Sequence, residues 1–199
     1  MIDRIFFFEN YIKIFSKPSE TQKQSLEKIL KFLDDSRFDL STQYAYILAT
    51  IALETNFTFE PVLEGYYIKN NRIQKLYNFY RKYRRTIFPN GLNYPTYEGR
   101  GYCQTTHNYN YDKFRELVRR KFNVDIFLDP DKVLNSEISW FIFEVGISER
   151  KYCYTGKIIY DYIRDGYYDY YNARRVINGR DFNEIKNYSE KFHKMINFI

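Results

Sequence analysis

Residues 41–64 read STQYAYILATIALETNFTFEPVLE, and the fold class turns on the first half of that stretch. Tyr44, Ile47, Leu48, Ile51 and Ala52 recur at i, i+3, i+4, i+7 and i+8, the spacing of a helix with one buried stripe. Glu54 closes the run, three residues after Ile51 and seven after Ile47. At about 100° per residue it falls on the border of the apolar stripe. A carboxyl there loses part of its water and meets the negative end of the helix dipole. Both effects raise its pKa toward the range that suits a general acid near neutral pH. The next segment, FTFEPVLE, reads as extended and carries Glu60 and Glu64 around Pro61. A chain that reverses after the helix could set Glu64 across a cleft from Glu54. The competing reading of Glu54 is a helix-terminal acid that faces solvent or pairs with a lysine.

Toward the N-terminus, Leu26, Ile29, Leu30 and Leu33 predict an amphipathic helix over residues 21–33, capped by Ser19 or Thr21 and ended by Asp34, Asp35 and Ser36. Residues 1–20 are an apolar and charged lead-in to it. Ser41 is the expected N-cap of the Glu54 helix. Toward the C-terminus, Ile73, Leu76, Tyr77 and Tyr80 point inward on one helix over 72–85. Residues 89–101 hold Pro89, Asn90, Gly91, Asn93, Pro95, Gly99 and Gly101, the longest break in periodicity and the kind of ordered loop that binds ligands. Further helices are predicted over 110–122 through Phe114, Leu117 and Val118, and over 138–147 with Ser136 as cap and Trp140 inside. A short one follows at Ile158, Ile159 and Tyr162, then 168–177 ending at Asn178 and Gly179, and a last one over 183–198. With one short β-like region near 57–68 and 97–105, the chain reads as mainly α. It has no internal repeat or low-complexity linker, and its 199 residues suit a single domain.

Hydrophobic residues make up 44% of the chain, which excludes a disordered protein. Its 22 Tyr exceed what a core needs, and tyrosines on loops suit sugar faces, offering ring area and a hydroxyl together. A net charge of +6 favours an anionic partner: nucleic acid, an acidic membrane or bacterial cell wall. The run RKYRR at 81–85 is expected to be a solvated helix face, so no nucleic-acid role follows from it. Cys103 and Cys153 allow at most one bridge and are expected as thiols in a reducing compartment. The opening MIDRIFFFENYIKIF has an early acid and only a short apolar run, matching neither a signal peptide nor a membrane span. A soluble chain without membrane insertion is expected. His107 and His193 fall in different elements and no Cys/His spacing suggests zinc, so neither metal nor cofactor is expected.

Residues 97–111 read YEGRGYCQTTHNYNY. Gly99 and Gly101 permit positive φ or close backbone approach, and Gln104, Thr106, Asn108 and Asn110 offer neutral donors and acceptors beside aromatics, as a polysaccharide cleft requires. A phosphate loop is the rival thought, but the Lys-Ser/Thr that completes one is missing. Together, AYILATIALETNFTFEPV (45–62), YEGRGYCQTTHNYNYDKF (97–114), TGKIIYDYI (155–163) and NARRVING (172–179) resemble, in that order, the family 19 glycoside hydrolases, the lysozyme-like group of plant chitinases and phage or bacterial endolysins. The likeness covers about residues 41–190, with 1–40 as a helical lead-in.

The resemblance implies a lysozyme-like helical domain with a small β region beside the active-site cleft, and an inverting hydrolase of β-1,4-linked N-acetylhexosamine polymers. Glu54 would protonate the glycosidic oxygen. Glu64 would be the base that activates water, with Glu98 and Glu60 as rivals. Thr106 would help hold that water, and Gln104, Asn110, Asn178 and Tyr102 would bind sugar. The chain departs from the family pattern at Leu53, where many members have His, and at Asn56 and Phe57, which replace Gly-Gly. The basic charge, the absent secretion signal and the few cysteines favour peptidoglycan, and hence a monomeric endolysin-like enzyme that reaches the wall after release. The alternatives are a chitinase, and a non-catalytic glycan-binding protein that keeps the cleft.

Overall fold

A computed structural model describes all 199 residues. The elements run α1 (Arg4–Ile14), α2 (Glu20–Asp34), α3 (Ser41–Glu54), β1 (Val62–Leu63), α4 (Arg72–Phe79), α5 (Arg84–Ile87), β2 (Arg100–Gly101), α6 (Asn108–Phe122), α7 (Ser136–Ser148), β3 (Ile163–Arg164), β4 (Tyr167–Tyr168), α8 (Tyr170–Ala173) and α9 (Phe182–His193). The fold is mainly α, as expected. No helix is long and apolar enough to cross a membrane. Two compact units divide the chain: Met1–Phe59 with Glu144–Ile199, and Glu60–Phe143.

The first unit is built around α3. Every residue from Gln43 to Ala52 is buried, so the helix is enclosed on all sides and not along one stripe. Its main neighbour is α9, which contributes Ile185 and Phe192 to the core. Each fully buried Ile, Leu or Phe stabilises by about 1.5–3 kcal/mol relative to exposure, which holds α3 in place despite its buried polar groups. The cap of α3 differs from expectation. Leu40 precedes the helix, and the Gln43 side-chain oxygen accepts from the Asp39 and Leu40 backbone N–H at 3.2 and 3.4 Å. Ser41 instead meets His193 Nε2 at 3.1 Å, because α9 lies within its reach. At α7 the cap is Asn135, one residue before Ser136, with Oδ1 accepting from the Glu137 and Ile138 N–H groups. Ser19 does cap α2, in a reciprocal box with Gln22.

In the second unit, β1 pairs antiparallel with β2, Val62 opposite Gly101 and Leu63 opposite Arg100, inside the predicted β region. The single helix expected over 72–85 is broken. Tyr80 leaves helical geometry at φ −85°, ψ 40°, and a 3-10 turn at Arg81–Tyr83 leads into α5. The basic run 81–85 is a solvent-facing surface with Arg84 half-buried over the Tyr77 ring at 4.0 Å. In the first unit again, the segment after Gly156 forms a 3-10 turn at Ile159–Asp161, and the helix expected over 168–177 is α8 followed by a 3-10 turn at Arg174–Val176. The last helix stops at His193, short of the expected 198, and Phe198 bridges to Ile2. A hairpin of β3 and β4, turning at Gly166 with φ +69°, was not expected. Strands of two residues carry no periodic signal to read.

Candidate functional site

Glu54 ends α3 with its side chain 13% exposed. Arg174, from the 3-10 turn after α8, brings Nη2 to 2.7 Å from Glu54 Oε1 and 3.8 Å from Asp181 Oδ2. Arg174 is itself 3% exposed and donates from Nε to the Arg180 carbonyl at 3.0 Å, while its Nη1 has no hydrogen-bond partner. Two further bonds fix this turn: the Tyr46 hydroxyl donates to the Ala173 carbonyl at 3.0 Å, and the Asn178 N–H donates to the Arg174 carbonyl at 3.0 Å. Burial raises the Glu54 pKa. Arg174 opposes that rise by charge attraction across a contact in which Glu54 Oε1 has no aligned hydrogen bond, Asp181 adds to it, and burial prevails. Glu54 is therefore a carboxyl that holds its proton above the usual range, with a guanidinium beside it to stabilise the anion once the proton has left.

After Glu54 the backbone turns sharply. Asn56 and Phe57 both take left-handed φ, +50° and +61°, and the Phe57 N–H donates to the Ala52 carbonyl at 2.7 Å. Glycine enters this region without steric cost; a phenylalanine does so only when other contacts hold it there. The Phe57 ring packs against Phe15, Phe59 and Tyr188, with centroids 5.0–6.0 Å away.

The second unit assembles the other expected groups around Gly99. The Glu64 N–H donates to the Gly99 carbonyl at 2.7 Å, and the Gly99 N–H donates to Glu64 Oε2 at 2.9 Å. The Tyr80 hydroxyl donates to Glu64 Oε1, which is why the helix over 72–85 opens at that residue: its ring is drawn to the carboxylate. Arg72 Nη1 donates to the Glu64 carbonyl at 2.9 Å. Gln104 spends its amide nitrogen on the Val62 and Gly101 carbonyls at 2.9 and 3.1 Å. The Thr106 hydroxyl donates to the Gln104 carbonyl at 2.8 Å, and Asn110 Nδ2 to the Thr106 carbonyl at 2.8 Å, leaving Asn110 Oδ1 buried without a partner. A Cβ on Gly99 would stand 2.8 Å from Gln104 Oε1 and 3.2 Å from Thr106 Oγ1, so a larger residue there would push these two side chains aside. Gln104, Thr106 and Asn110 thus form one bonded chain, while Glu64 is held separately by Gly99, Tyr80 and Arg72.

Three candidates behave differently from expectation. Glu98 has no exposed surface and lies between Arg72 Nη2 at 2.9 Å and Arg100 Nη1 at 3.5 Å. Burial alone would raise its pKa, but Arg100, Thr96 and Arg72 together hold it below the usual glutamate range. Glu98 is thus a fully buried ion-pair member with its Oε2 left without a hydrogen bond, whereas Glu64 is only part-buried. Tyr102 is 1% exposed and its N–H is bound by Ser139 Oγ at 2.7 Å, so its ring is core and offers no sugar platform. Glu60 is exposed at the bend before β1. Asn178 lies in the first unit beside Arg174, lining a shallow depression of about 260 Å³ with Lys157 and Arg175. The residues missed from sequence are Arg174, Asp181, Tyr80 and Arg72. Only Arg174 left a trace, as the inward partner of Ala173 and Val176 in NARRVING.

No group of three or more His, Cys, Asp and Glu side chains is placed to hold a metal ion. No family model, curated protein or solved structure matches this chain.

Proposed function

We propose that this protein is a glycoside hydrolase that cleaves β-1,4-linked N-acetylhexosamine polymers, peptidoglycan first among them, by an inverting two-carboxylate mechanism in a lysozyme-like fold. The observation that carries the reading is the geometry at Glu54: a carboxyl at a buried helix end, its pKa raised by burial, with Arg174 at 2.7 Å. Glu54 donates its proton to the glycosidic oxygen as the bond to the anomeric carbon breaks, and Arg174 stabilises the carboxylate produced. Glu64, oriented by Tyr80 and Gly99, removes a proton from the attacking water; each of its oxygens keeps a second lone pair for that task. Inverting enzymes hold the two carboxyls about 6.5–9.5 Å apart, with the water on the opposite face of the sugar. The resemblance to family 19 gains support from Asn56 and Phe57, because the two positions where the family has Gly-Gly are both left-handed here. In cells, the enzyme would meet the wall after release.

One observation favours a second reading, a glycan-binding protein without turnover: the Arg174 guanidinium also stabilises Glu54 as an anion, which a proton donor must not be at rest. Adding the full-length protein to purified peptidoglycan and to soluble chito-oligosaccharides separates the readings. Hydrolysis should clear the wall suspension and release product first seen by NMR as the α-anomer. Binding to both polymers with no cleavage of either establishes the second reading, and cleavage of the chito-oligosaccharides alone makes the protein a chitinase.

The raised Glu54 pKa also fixes a pH dependence. The folded state holds this proton more tightly than the unfolded chain, so stability falls as pH rises from the ordinary glutamate range through the raised value. The same ionisation removes the acid, so kcat/KM should decline along an alkaline limb at that pKa. A carbon-13 titration of the Glu54 carboxyl that coincides with the limb bears this out; a Glu54 that ionises at or below the ordinary glutamate value refutes it.

A further inference from the structure

The segment YYDYY at 167–171 is not used by the hydrolytic site, and it builds one wall of a groove of about 440 Å³, within the size range of ligand pockets. Tyr167 and Tyr168 come from β4 and Tyr170 and Tyr171 from α8. The opposite wall is α9, where Asn183, Lys186 and Glu190, at i, i+3 and i+7, lie on one face. None of these residues touches Glu54, whose neighbours are Arg174 and Asp181.

We propose that this groove is a second carbohydrate-binding site, which holds a neutral N-acetylhexosamine chain on its tyrosine faces. Tyr167, Tyr168 and Tyr171 are exposed by 44, 53 and 42%, too much ring surface in one place for a solvated edge. The rings are braced from behind. Tyr168 packs against Tyr170 at 5.0 Å and edge-on to His193 at 5.8 Å, Tyr171 lies 5.0 Å from Phe182, and the Arg164 guanidinium covers Tyr167 at 4.5 Å. Braced rings lose little freedom when a ligand stacks on them, so more of the contact energy appears as affinity. The polar groups select the ligand. Lys186 is paired with Glu190 at 3.8 Å, and Asp169 accepts from the Asn172 N–H and Nδ2 at 3.0 and 2.7 Å. The lining of the groove carries a single cation, Lys186, and it faces Glu190, so no cluster of positive charge is offered to a phosphate or nucleic acid. Asn183 with the Lys186–Glu190 pair presents donors and acceptors along the rim, and the rings present apolar area. A pyranose, apolar on its C–H face and polar at its edge, matches both at once, and an acetamido group adds a partner for the Asn183 amide. The ligand class comes from this lining and does not depend on the role of Glu54.

The test uses the full chain, with tri-N-acetylchitotriose measured by calorimetry and insoluble chitin and purified peptidoglycan measured by co-sedimentation. Tyr168→Ala and Asn183→Ala both alter exposed side chains, and circular dichroism verifies that each variant folds. Each should weaken binding to the insoluble polymers about tenfold, and Tyr168→Trp should restore it. Hydrolysis of the soluble trimer should be unchanged, while hydrolysis of insoluble polymer should fall several-fold. If the wild type cleaves nothing but the variants lose binding, the groove stands and the hydrolase reading fails. Variants that bind as tightly as the wild type, or a wild type that binds none of the three glycans, overturn the groove.

Discussion

Glu54→Gln should lower turnover of peptidoglycan by about 10²–10⁴-fold, the contribution a positioned general acid makes, while leaving affinity for N-acetylhexosamine oligomers within a few-fold of wild type. Glutamine keeps the volume and one acceptor of glutamate but cannot release a proton at any accessible pH. The leaving sugar oxygen must then depart as an alkoxide or take its proton from water. Binding is spared because sugar recognition is assigned to amides and hydroxyls elsewhere, with Gln104, Thr106 and Asn110 held in a network that excludes Glu54. The substitution does disturb Arg174, which loses its carboxylate partner at 2.7 Å and keeps only Asp181 at 3.8 Å. Thermal unfolding must therefore accompany the rate measurement, so that a loss of folded protein is not read as a loss of chemistry. A folded variant that keeps more than a tenth of wild-type turnover would show that the proton comes from another group.

The parts of the site that sequence exposes and conceals differ in how far apart their partners lie. The helix that ends at Glu54 was legible because its signal is local, although the one-stripe reading understated its burial, since every residue from Gln43 to Ala52 is enclosed. Leu26, Ile29, Leu30 and Leu33 gave α2 for the same reason, and all four are buried. Arg174 lies 120 residues from Glu54 in sequence, and nothing in the spacing of either points to the other. Tyr80 fitted an inward helical face, yet its hydroxyl bonds to Glu64, 16 residues earlier, and that contact outweighs continuation of the helix. Glu98 stood as a rival to Glu64 only because it adjoins Gly99, and nothing local foretold that Arg72, 26 residues earlier, and Arg100 permit its full burial. The caps show the same on a small scale: Asn135 takes the helix N–H groups that Ser136 was expected to serve, and Gln43 reaches back to the Asp39 and Leu40 N–H groups ahead of α3 while Ser41 turns to His193.

Arg100→Met should destabilise the Glu60–Phe143 unit by about 3–5 kcal/mol, the range for breaking a buried ion pair by removing one member. Arg100 is 2% exposed and donates from Nη1 to the Thr96 and Glu98 carbonyls at 2.9 and 3.0 Å, and from Nε to Asp131 at 2.8 Å. Methionine fills comparable space but takes the Arg100 donor from the Thr96 carbonyl, leaves the Glu98 carbonyl with the Tyr111 hydroxyl alone, and leaves the Glu98 carboxylate with Arg72 as its remaining cation. Against a typical total of roughly 5–15 kcal/mol, that loss is large enough to open the loop carrying Gly99 and with it the seat of Glu64. The pH dependence separates this electrostatic effect from a packing defect. Glu98 has a folded pKa below its unfolded value, so its stabilising contribution is present above the ordinary glutamate pKa, about 4.3, and is lost as pH falls through the lower folded value. Without Arg100 that folded value rises toward the ordinary one, and the variant should lose less stability than wild type on acidification. Adding Glu98→Gln to Arg100→Met should recover part of the loss, because the buried carboxylate left with Arg72 alone is then gone. Hydrogen exchange at the Gly99 and Arg100 amides, followed with urea unfolding from neutral to acid pH, reads all three effects. Equal acid sensitivity of wild type and Arg100→Met would mean that packing around Tyr111, and not charge, holds this loop.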